Sequence, residues 1–186
     1  MNKTVVTRRD PAAKAAKLRR GGIVPCAVYG GRFKESLSCQ MDREEARRLF
    51  RGRHEGSLVE LELDGSAFKA LVKEIEYRAV GDEVLHLSFQ ALKSDAPVNA
   101  KALIKLLNRD MINGVVEQVI YEVEYSALPE DLIDCVVIDL AALSLGEAVT
   151  VGDIPEFQKE GVTLITAPEL VALKTGYKKQ AGPRDD

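Results

Sequence analysis

Two histidines, three cysteines and a basic cluster near the start are the side chains of this 186-residue sequence that could do chemistry. His54 lies in a loop between Arg53 and Glu55, where a solvated ring is expected. His86 is placed differently. In LHLSF, Leu85, Leu87 and Phe89 alternate onto one face of a strand and leave His86 and Ser88 on the other. Such a pair is either simply solvated or aimed at a ligand, because imidazole offers a donor, an acceptor and a stackable ring. Cys26, Cys39 and Cys135 follow one another at intervals of 13 and 96 residues. That is no zinc spacing, and no activating base can be placed beside them, so neither a metal nor a cysteine nucleophile is expected. They read as buried or free thiols of a reducing, cytosolic protein. The acidic stretch Glu117–Glu124 alternates with Val, Ile and Tyr and reads as the wet face of a strand. There is no P-loop, dinucleotide fingerprint, nucleophile elbow or His-Glu-x-x-His. No enzymatic activity, cofactor or small-molecule substrate is therefore expected.

Charge supplies the stronger signal. The chain as a whole is mildly acidic, at −3 with a pI near 5.6. Residues 1–95 carry 18 Lys and Arg against 14 Asp and Glu, a net of +4, whereas residues 96–186 carry 8 against 15, a net of −7. The first 34 residues hold nine bases and one acid, Asp10, for a net of +8. Binding responds to the field of the contact face rather than to the whole-chain sum. Lys14, Lys17, Arg19 and Arg20 belong to one helical run, with Lys3, Arg8 and Arg9 on the segment before it. Arg19 and Arg20 also suit the negative end of a helix dipole. Nine bases against one acid nevertheless point to a phosphate-rich partner.

The elements that must position these residues are mostly strands. KTVVT (3–7) is β-branched and opens the chain. Asp10-Pro11 predicts a helix start, with Asp as cap and Pro at the first helical position, and Gly21-Gly22 predicts its end. IVPCAVYGG (23–31) reads as a strand ending in a Gly-Gly turn, and SLSCQM (36–41) returns. Asp42 followed by Glu45 predicts a capping box before a short helix. SLVELEL (57–63) alternates with period two, and Asp64-Gly65 is a hairpin signal. AFKALVKEIEY (67–77) offers Phe68, Ala70 or Leu71, Val72, Ile75 and Tyr77 to the interior, with one phase slip that predicts a bulge. EVLHLSFQAL (83–92) follows. About six strands and two short helices are small enough to close as a barrel.

Asp95-Ala96-Pro97 predicts a boundary. Residues 98–107 fit helix or strand. GVVEQVIYEVEY (114–125) reads as one long strand, Leu128-Pro129-Glu130-Asp131 as a turn and CVVIDL (135–140) as a buried strand. Short strands are expected within 147–154, 162–167 and 169–173, and residues 176–186 are expected to be a disordered tail. The fold class is thus mainly β with short helices (α+β): a small barrel at 1–95 and a mainly β domain at 96–175. No apolar run is long enough to span a membrane, and no secretory signal is evident at the start, so a cytoplasmic location is expected.

KLRRGGIVPCAVYGG resembles the signature of the bacterial 5S-rRNA-binding large-subunit ribosomal protein number twenty-five, the general stress protein Ctc family. The resemblance rests on Leu18-Arg19, Gly22, Pro25, Ala27, Tyr29 and Gly30. VKEIEYRAVGDEVLHLSF (72–89) is similar to the family's strand pair, with His86-Leu87-Ser88-Phe89 in place of His-x-Asp-Phe. LPEDLIDCVVIDLAALSLGEAVTVGDI (128–154) looks like the C-terminal domain of the longer members. The resemblance implies an N-terminal barrel that grips 5S rRNA, with other large-subunit ribosomal proteins as further partners. It implies an RNA-binding set of Arg8, Arg9, Lys14, Lys17, Arg19, Arg20, Tyr29, Lys73, Glu76, His86 and Ser88. Lys14 stands in for a Gly-Lys-Gly that is here Pro11-Ala12-Ala13. Glu76 replaces the family's Gln, Ala79 its Pro and Ser88 its Asp. The other reading the residues leave open is a stress-associated interaction protein of the same fold, with weakened RNA binding and a protein partner on its acidic C-terminal domain.

Overall fold

In the computed structural model, which describes residues 3–51, 53–80 and 83–177, the strands of the first half close on themselves. They are β1 (Thr4–Arg8), β2 (Ile23–Gly30), β3 (Leu37–Asp42), β4 (Leu58–Leu63), β5 (Ser66–Tyr77) and β6 (Val84–Ala91). Their order round the ring is β1-β3-β2-β6-β5-β4. Two parallel pairings, β1 with β4 and β2 with β6, make closure possible; the remaining neighbours are antiparallel. The alternation of β4 puts Val59, Leu61 and Leu63 inside, where they meet Val6, Val28, Val72, Leu87 and Phe89 in one continuous aliphatic core. Asp64 and Gly65 both take positive φ, 52° and 76°, as a two-residue hairpin between β4 and β5 requires. The expected barrel is therefore present, and a mainly β C-terminal region follows it.

The helices differ in detail from expectation. The first, α1, runs only over Ala15–Arg20. Asp10 does accept from a backbone amide, that of Ala12 at 2.9 Å, and its carbonyl accepts from Ala13 at 3.0 Å. This closes a tight turn around Pro11 rather than a helix, and Lys14 (φ −67°, ψ 127°) is extended, which breaks any continuous helix from Asp10. Gly21 caps the C-terminus, and Gly22, at φ 78°, turns the chain into β2. The second helix, α2 (Arg43–Leu49), is capped by Asp42, which accepts from the Glu44 and Glu45 amides. Glu45 does not complete the expected box: its carboxylate accepts from the Val5 amide of β1 at 3.1 Å instead. Ala46 and Leu49 bury the inner side of α2 in the barrel core.

Register along β5 and β6 shifts twice. Between Val72 and Glu74 the extra residue is Lys73, which is the expected bulge. A second shift, opposite Glu76 and Tyr77, was not legible from the alternation. It places Val84 inside, leaves Leu85 half-buried and turns Tyr77 outward, 49% exposed, rather than into the core. Leu71 is fully buried but lies outside the barrel's interior cluster.

Beyond the barrel, 98–107 is a strand, β7 (Val98–Leu107). The long strand expected over 114–125 is two, β8 (Val115–Gln118) and β9 (Glu122–Ala127), in different sheets. Its break is held by hydrogen bonds: Val119 and Ile120 both donate to the Ala172 carbonyl, and Gln118 Nε2 donates to the carbonyls of Ile104 and Ile120. The remaining strands are β10 (Cys135–Asp139), β11 (Ala148–Thr150), β12 (Thr163–Leu164) and β13 (Val171–Gly176). They complete a four-stranded sheet, β10-β7-β9-β12, and a three-stranded one, β11-β13-β8. β10 pairs only with β7, so it is an edge; Val136 is buried but Val137 is 49% exposed, unlike the fully buried strand its composition suggested. The chain divides into two compact units, residues 1–100 with 127–134, and 101–126 with 135–186. Of the expected disordered tail, Gly176 ends β13 and Tyr177 is described; residues 178–186 lie outside the described residues.

Candidate nucleic-acid interface

The outward residues of β5, β6 and β2 form one polar surface because strand pairing fixes which of them stand side by side. Glu76 of β5 is opposite His86 of β6, and Glu74 opposite Ser88. On the other flank of β6, Ser88 is level with Ala27 and Gln90 with Tyr29 of β2. His86, Ser88 and Gln90 thus form a polar row along β6, all half-buried, flanked by a carboxylate row and by Tyr29. Ser88 Oγ donates to Glu74 Oε2 at 3.4 Å. Burial, and then the Glu74 charge, push the Tyr29 hydroxyl above the usual phenol pKa, so it stays a neutral donor.

The Gly21-Gly22 turn lays α1 against β2. Lys14, Lys17 and Arg20 are exposed and Arg19 is half-buried. A guanidinium nitrogen of Arg43, Nη2, donates to the Arg19 carbonyl, which also accepts from the Gly22 amide at 3.1 Å. Arg43 also pairs with Glu83 at 3.1 Å, and Glu83 holds Arg78 at 2.7 Å. Arg19, Arg20, Arg43 and Arg78 therefore converge on a recess of about 460 Å³ in which Glu83 is the one carboxylate among the described residues. Among the described residues the buried Nε atoms of Arg9, Arg19 and Arg43 have no hydrogen-bond partner.

Tyr29, Glu76, His86 and Ser88 share one surface; Arg19 and Arg20 gather with Arg78 and Glu83 at its β5–β6 end, and Lys14 and Lys17 are exposed at the start of α1 and within it. Two residues of the expected set are turned elsewhere. Arg8 pairs with Asp64 at the β4–β5 hairpin, 2.8 Å away, and that hydrogen bond and charge raise its pKa further. Lys73, displaced by its bulge, donates through Nζ to the Asn99 carbonyl at 3.0 Å. Arg9 is half-buried in the turn after β1, its amide on the Ser38 carbonyl. Arg32, another of the nine early bases, lies over the rings of Phe33 and Phe68 and donates to Ser66. Sequence reasoning missed Glu74, Gln90 and Arg43. Gln90 was available from the alternation with Ser88; Glu74 reaches the outer face only through the bulge, and Arg43 joins only through its contacts with the Arg19 carbonyl and Glu83.

His54 is not the solvated ring its loop suggested. Its side chain is only 15% exposed, Nδ1 lies 2.6 Å from the Glu55 carbonyl and Nε2 lies 3.8 Å from Asp134. The short contact to a carbonyl assigns the proton to Nδ1. Cys26 and Cys39 are register partners in β2 and β3, both buried as free thiols whose pKa is raised by burial. Among the described residues no group of His, Cys, Asp and Glu could hold a metal ion, and no helix is long and apolar enough to cross a membrane.

The fold and this surface define a class: a small closed barrel with a basic helix at its polar outer face, joined to a second, open-sheet β unit. Residues 4–89 match the Ribosomal L25p family and residues 97–176 match the Ribosomal protein TL5, C-terminal domain. The chain belongs to the ribosomal L25p family, in its long form. It is 31% identical over 170 residues to the large ribosomal subunit protein bL25 of Akkermansia muciniphila, which covers 89% of this chain and 83% of the relative. The protein of the same name from Gloeothece citriformis is 27% identical over 185 residues, 96% of this chain and 92% of the relative. That from Caldanaerobacter subterraneus subsp. tengcongensis is 24% identical over 184 residues, 97% and 92%. The family is one of ribosomal proteins, structural components and not enzymes.

Proposed function

We propose that the chain is a structural component of the large ribosomal subunit that holds 5S rRNA on the outer face of β5, β6 and β2, with α1 as the electrostatic arm. The observation that carries this reading is the register that sets Tyr29, Ser88 and His86 side by side on the outer face of β2 and β6, with Arg19 and Arg20 gathered beside Arg78 and Glu83 at the β5–β6 end. The bases neutralise phosphates and fix position. The β6 row meets the shallow minor groove, where an A-form helix presents 2′-hydroxyls and base edges. His86 and the Tyr29 hydroxyl supply donors there; the Glu76 carboxylate, opposite His86, works against the phosphates. On this reading the protein acts in the cytoplasm on the ribosome, with rRNA and other large-subunit proteins as neighbours, and RNA binding is a property of residues 1–95.

Titration of 5S rRNA at fixed salt, alongside thermal melts, tests the placement. His86→Ala should lose about 1–3 kcal/mol of binding with little change in melting. Glu76→Gln should bind more tightly, because it removes a negative charge and adds an amide donor. Arg19→Ala with Arg20→Ala should weaken binding and flatten the salt slope by about 1–2 units, if each arginine meets a phosphate. Unchanged affinity in all of these variants, with normal melting, would remove the RNA from this face.

A further inference from the structure

A second basic recess lies on the far side of the barrel. Lys3, Arg48, Arg51 and Arg53 line a cavity of about 480 Å³ between the start of β1 and the end of α2. We propose that this recess is a second phosphodiester-binding surface, taking the backbone of an RNA segment other than the one held on β5, β6 and β2.

Three observations support it. First, the four cations are uncompensated: among the described residues none forms an ion pair with a carboxylate. The one acid lining the recess among the described residues, Glu45, has an oxygen engaged by the Val5 amide at 3.1 Å. Second, helix chemistry does not account for the cluster. Arg47 and Arg48 lie in the last turn of α2, where a cation suits the dipole. Arg51 and Arg53 lie beyond the helix end, so the dipole gives them no reason to be basic. Arg48 commits Nε to the Glu44 carbonyl and keeps its terminal nitrogens for a ligand. Third, the position is opposed to the first surface. β1, whose Thr4 lines the recess, is three strands from β6 in either direction round the ring. An RNA segment laid across β5, β6 and β2 faces away from it.

The chemistry favours RNA over an acidic protein. Protein interfaces are built around an apolar centre. Among the described residues the one large apolar side chain lining this recess is Leu49, which is buried in the barrel core. Three guanidinium forks and one ammonium match phosphate oxygens, and such contacts carry no sequence information. The barrel would then stand between two RNA backbones and fix their separation, which goes beyond holding one of them.

The experiment uses the full chain bound to fluorescent 5S rRNA and titrates a second, differently labelled 20-base-pair RNA duplex. The wild type should form the ternary complex, and two duplexes of unrelated sequence should bind within about twofold of each other. Arg48→Ala, Arg51→Ala and Arg53→Ala combined should weaken the second duplex at least about tenfold, lower its salt slope by about 2–3 units, and leave 5S rRNA affinity nearly unchanged. The corresponding triple Lys variant should restore most of the binding. Arg51→Ala alone, at an exposed position outside the helix, should weaken the second duplex about threefold and covers the case in which the triple Ala variant does not fold. The duplex should also bind Arg19→Ala/Arg20→Ala, so failure of the first surface does not hide the second. Absence of the ternary complex, or a triple Ala variant that binds the duplex like wild type, overturns the proposal. Poly-glutamate binding wild type more tightly than the duplex does overturns it too, in favour of an acidic protein partner.

Discussion

In the barrel, every strand has a neighbour on both sides, and Val59, Leu61 and Phe89 are fully buried in one continuous core. In the two open sheets that follow, β8, β10, β11 and β12 are edges, and Val115, Val119, Tyr121 and Val137 are each about half exposed or more. Closure accounts for the contrast. A ring satisfies all of its ladder hydrogen bonds and buries its apolar side without needing anything on its outer face. That outer face is therefore free to carry His86, Ser88, Gln90 and Tyr29. The open sheets have acidic outward rows that are partly neutralised within the unit: Lys101 lies 3.5 Å from Glu122 and 3.9 Å from Glu124, and Lys174 lies 3.1 Å from Glu117. The barrel presents excess cation at two recesses, whereas the second unit pairs Lys101 and Lys174 internally. Such exposed pairs add little stability, but they leave less free charge for a polyanion.

The strongest test of this contrast removes one core aromatic from each region. Phe89→Ala and Tyr125→Ala, both at fully buried positions, should each cost about 3–5 kcal/mol. Phe89→Ala should abolish RNA binding with the barrel. Tyr125→Ala, which removes the ring 5.7 Å from Phe157, should leave RNA affinity within about twofold if the barrel alone binds. Equal loss of RNA binding in both variants, by titration and two-probe melting, would merge the two regions into one functional unit.

A smaller effect separates tight from loose turns. Gly31 has φ 56°, and a Cβ there would come within 2.9 Å of both Cβ and O of Ala91. Gly146 has φ 89° with nothing within 4 Å. Gly31→Ala should cost about 1–3 kcal/mol, combining backbone strain with a clash, and Gly146→Ala about 1 kcal/mol from strain alone. Denaturant midpoints that rank them in the other order would locate the rigid turns in the open sheets.

The least disruptive probe is pH, and its sign differs between the regions. Burial raises the thiol pKa of Cys26 and Cys39 in the folded barrel. The unfolded chain therefore loses these protons first. Stability is complete below the ordinary thiol pKa and falls as pH rises above about 8.5, by at most about 1.4 kcal/mol per pH unit for each thiol. In the second unit, Asn108 lowers the pKa of Asp139 and Thr150 that of Asp153 through hydrogen bonds to their carboxylates. Their contribution is present above the usual carboxylate pKa and is lost as pH falls through the lowered one. Melts followed separately for the two units should show the barrel weakening toward alkali and the second unit, slightly, toward acid. Cys26→Ala should remove its share of the alkaline slope, and Asp139→Asn its share of the acid one.

The amino-acid sequence by itself determined the strands with clear period-two alternation, the Asp64-Gly65 hairpin, the Gly21-Gly22 helix end, the bulge near Lys73 and the basic character of the first 34 residues. Each is a local property: alternation, turn chemistry and charge act over a few residues and do not wait for a partner. The tertiary structure decided what depended on distant groups. Whether Asp10 opens a helix or a turn, and whether Glu45 closes a capping box or reaches Val5, are competitions between nearly equal hydrogen bonds settled by the packing around them. The break in 114–125 needs the Ala172 carbonyl, more than 50 residues away in the chain. His54 is desolvated in a structural unit that includes Asp134, and Arg8 and Lys73 leave the β6 surface because Asp64 and Asn99 hold them. The residues beside His86 follow from closing the barrel with β2 parallel to β6, a pairing between strands whose alternation alone carries no information about which neighbour they will find.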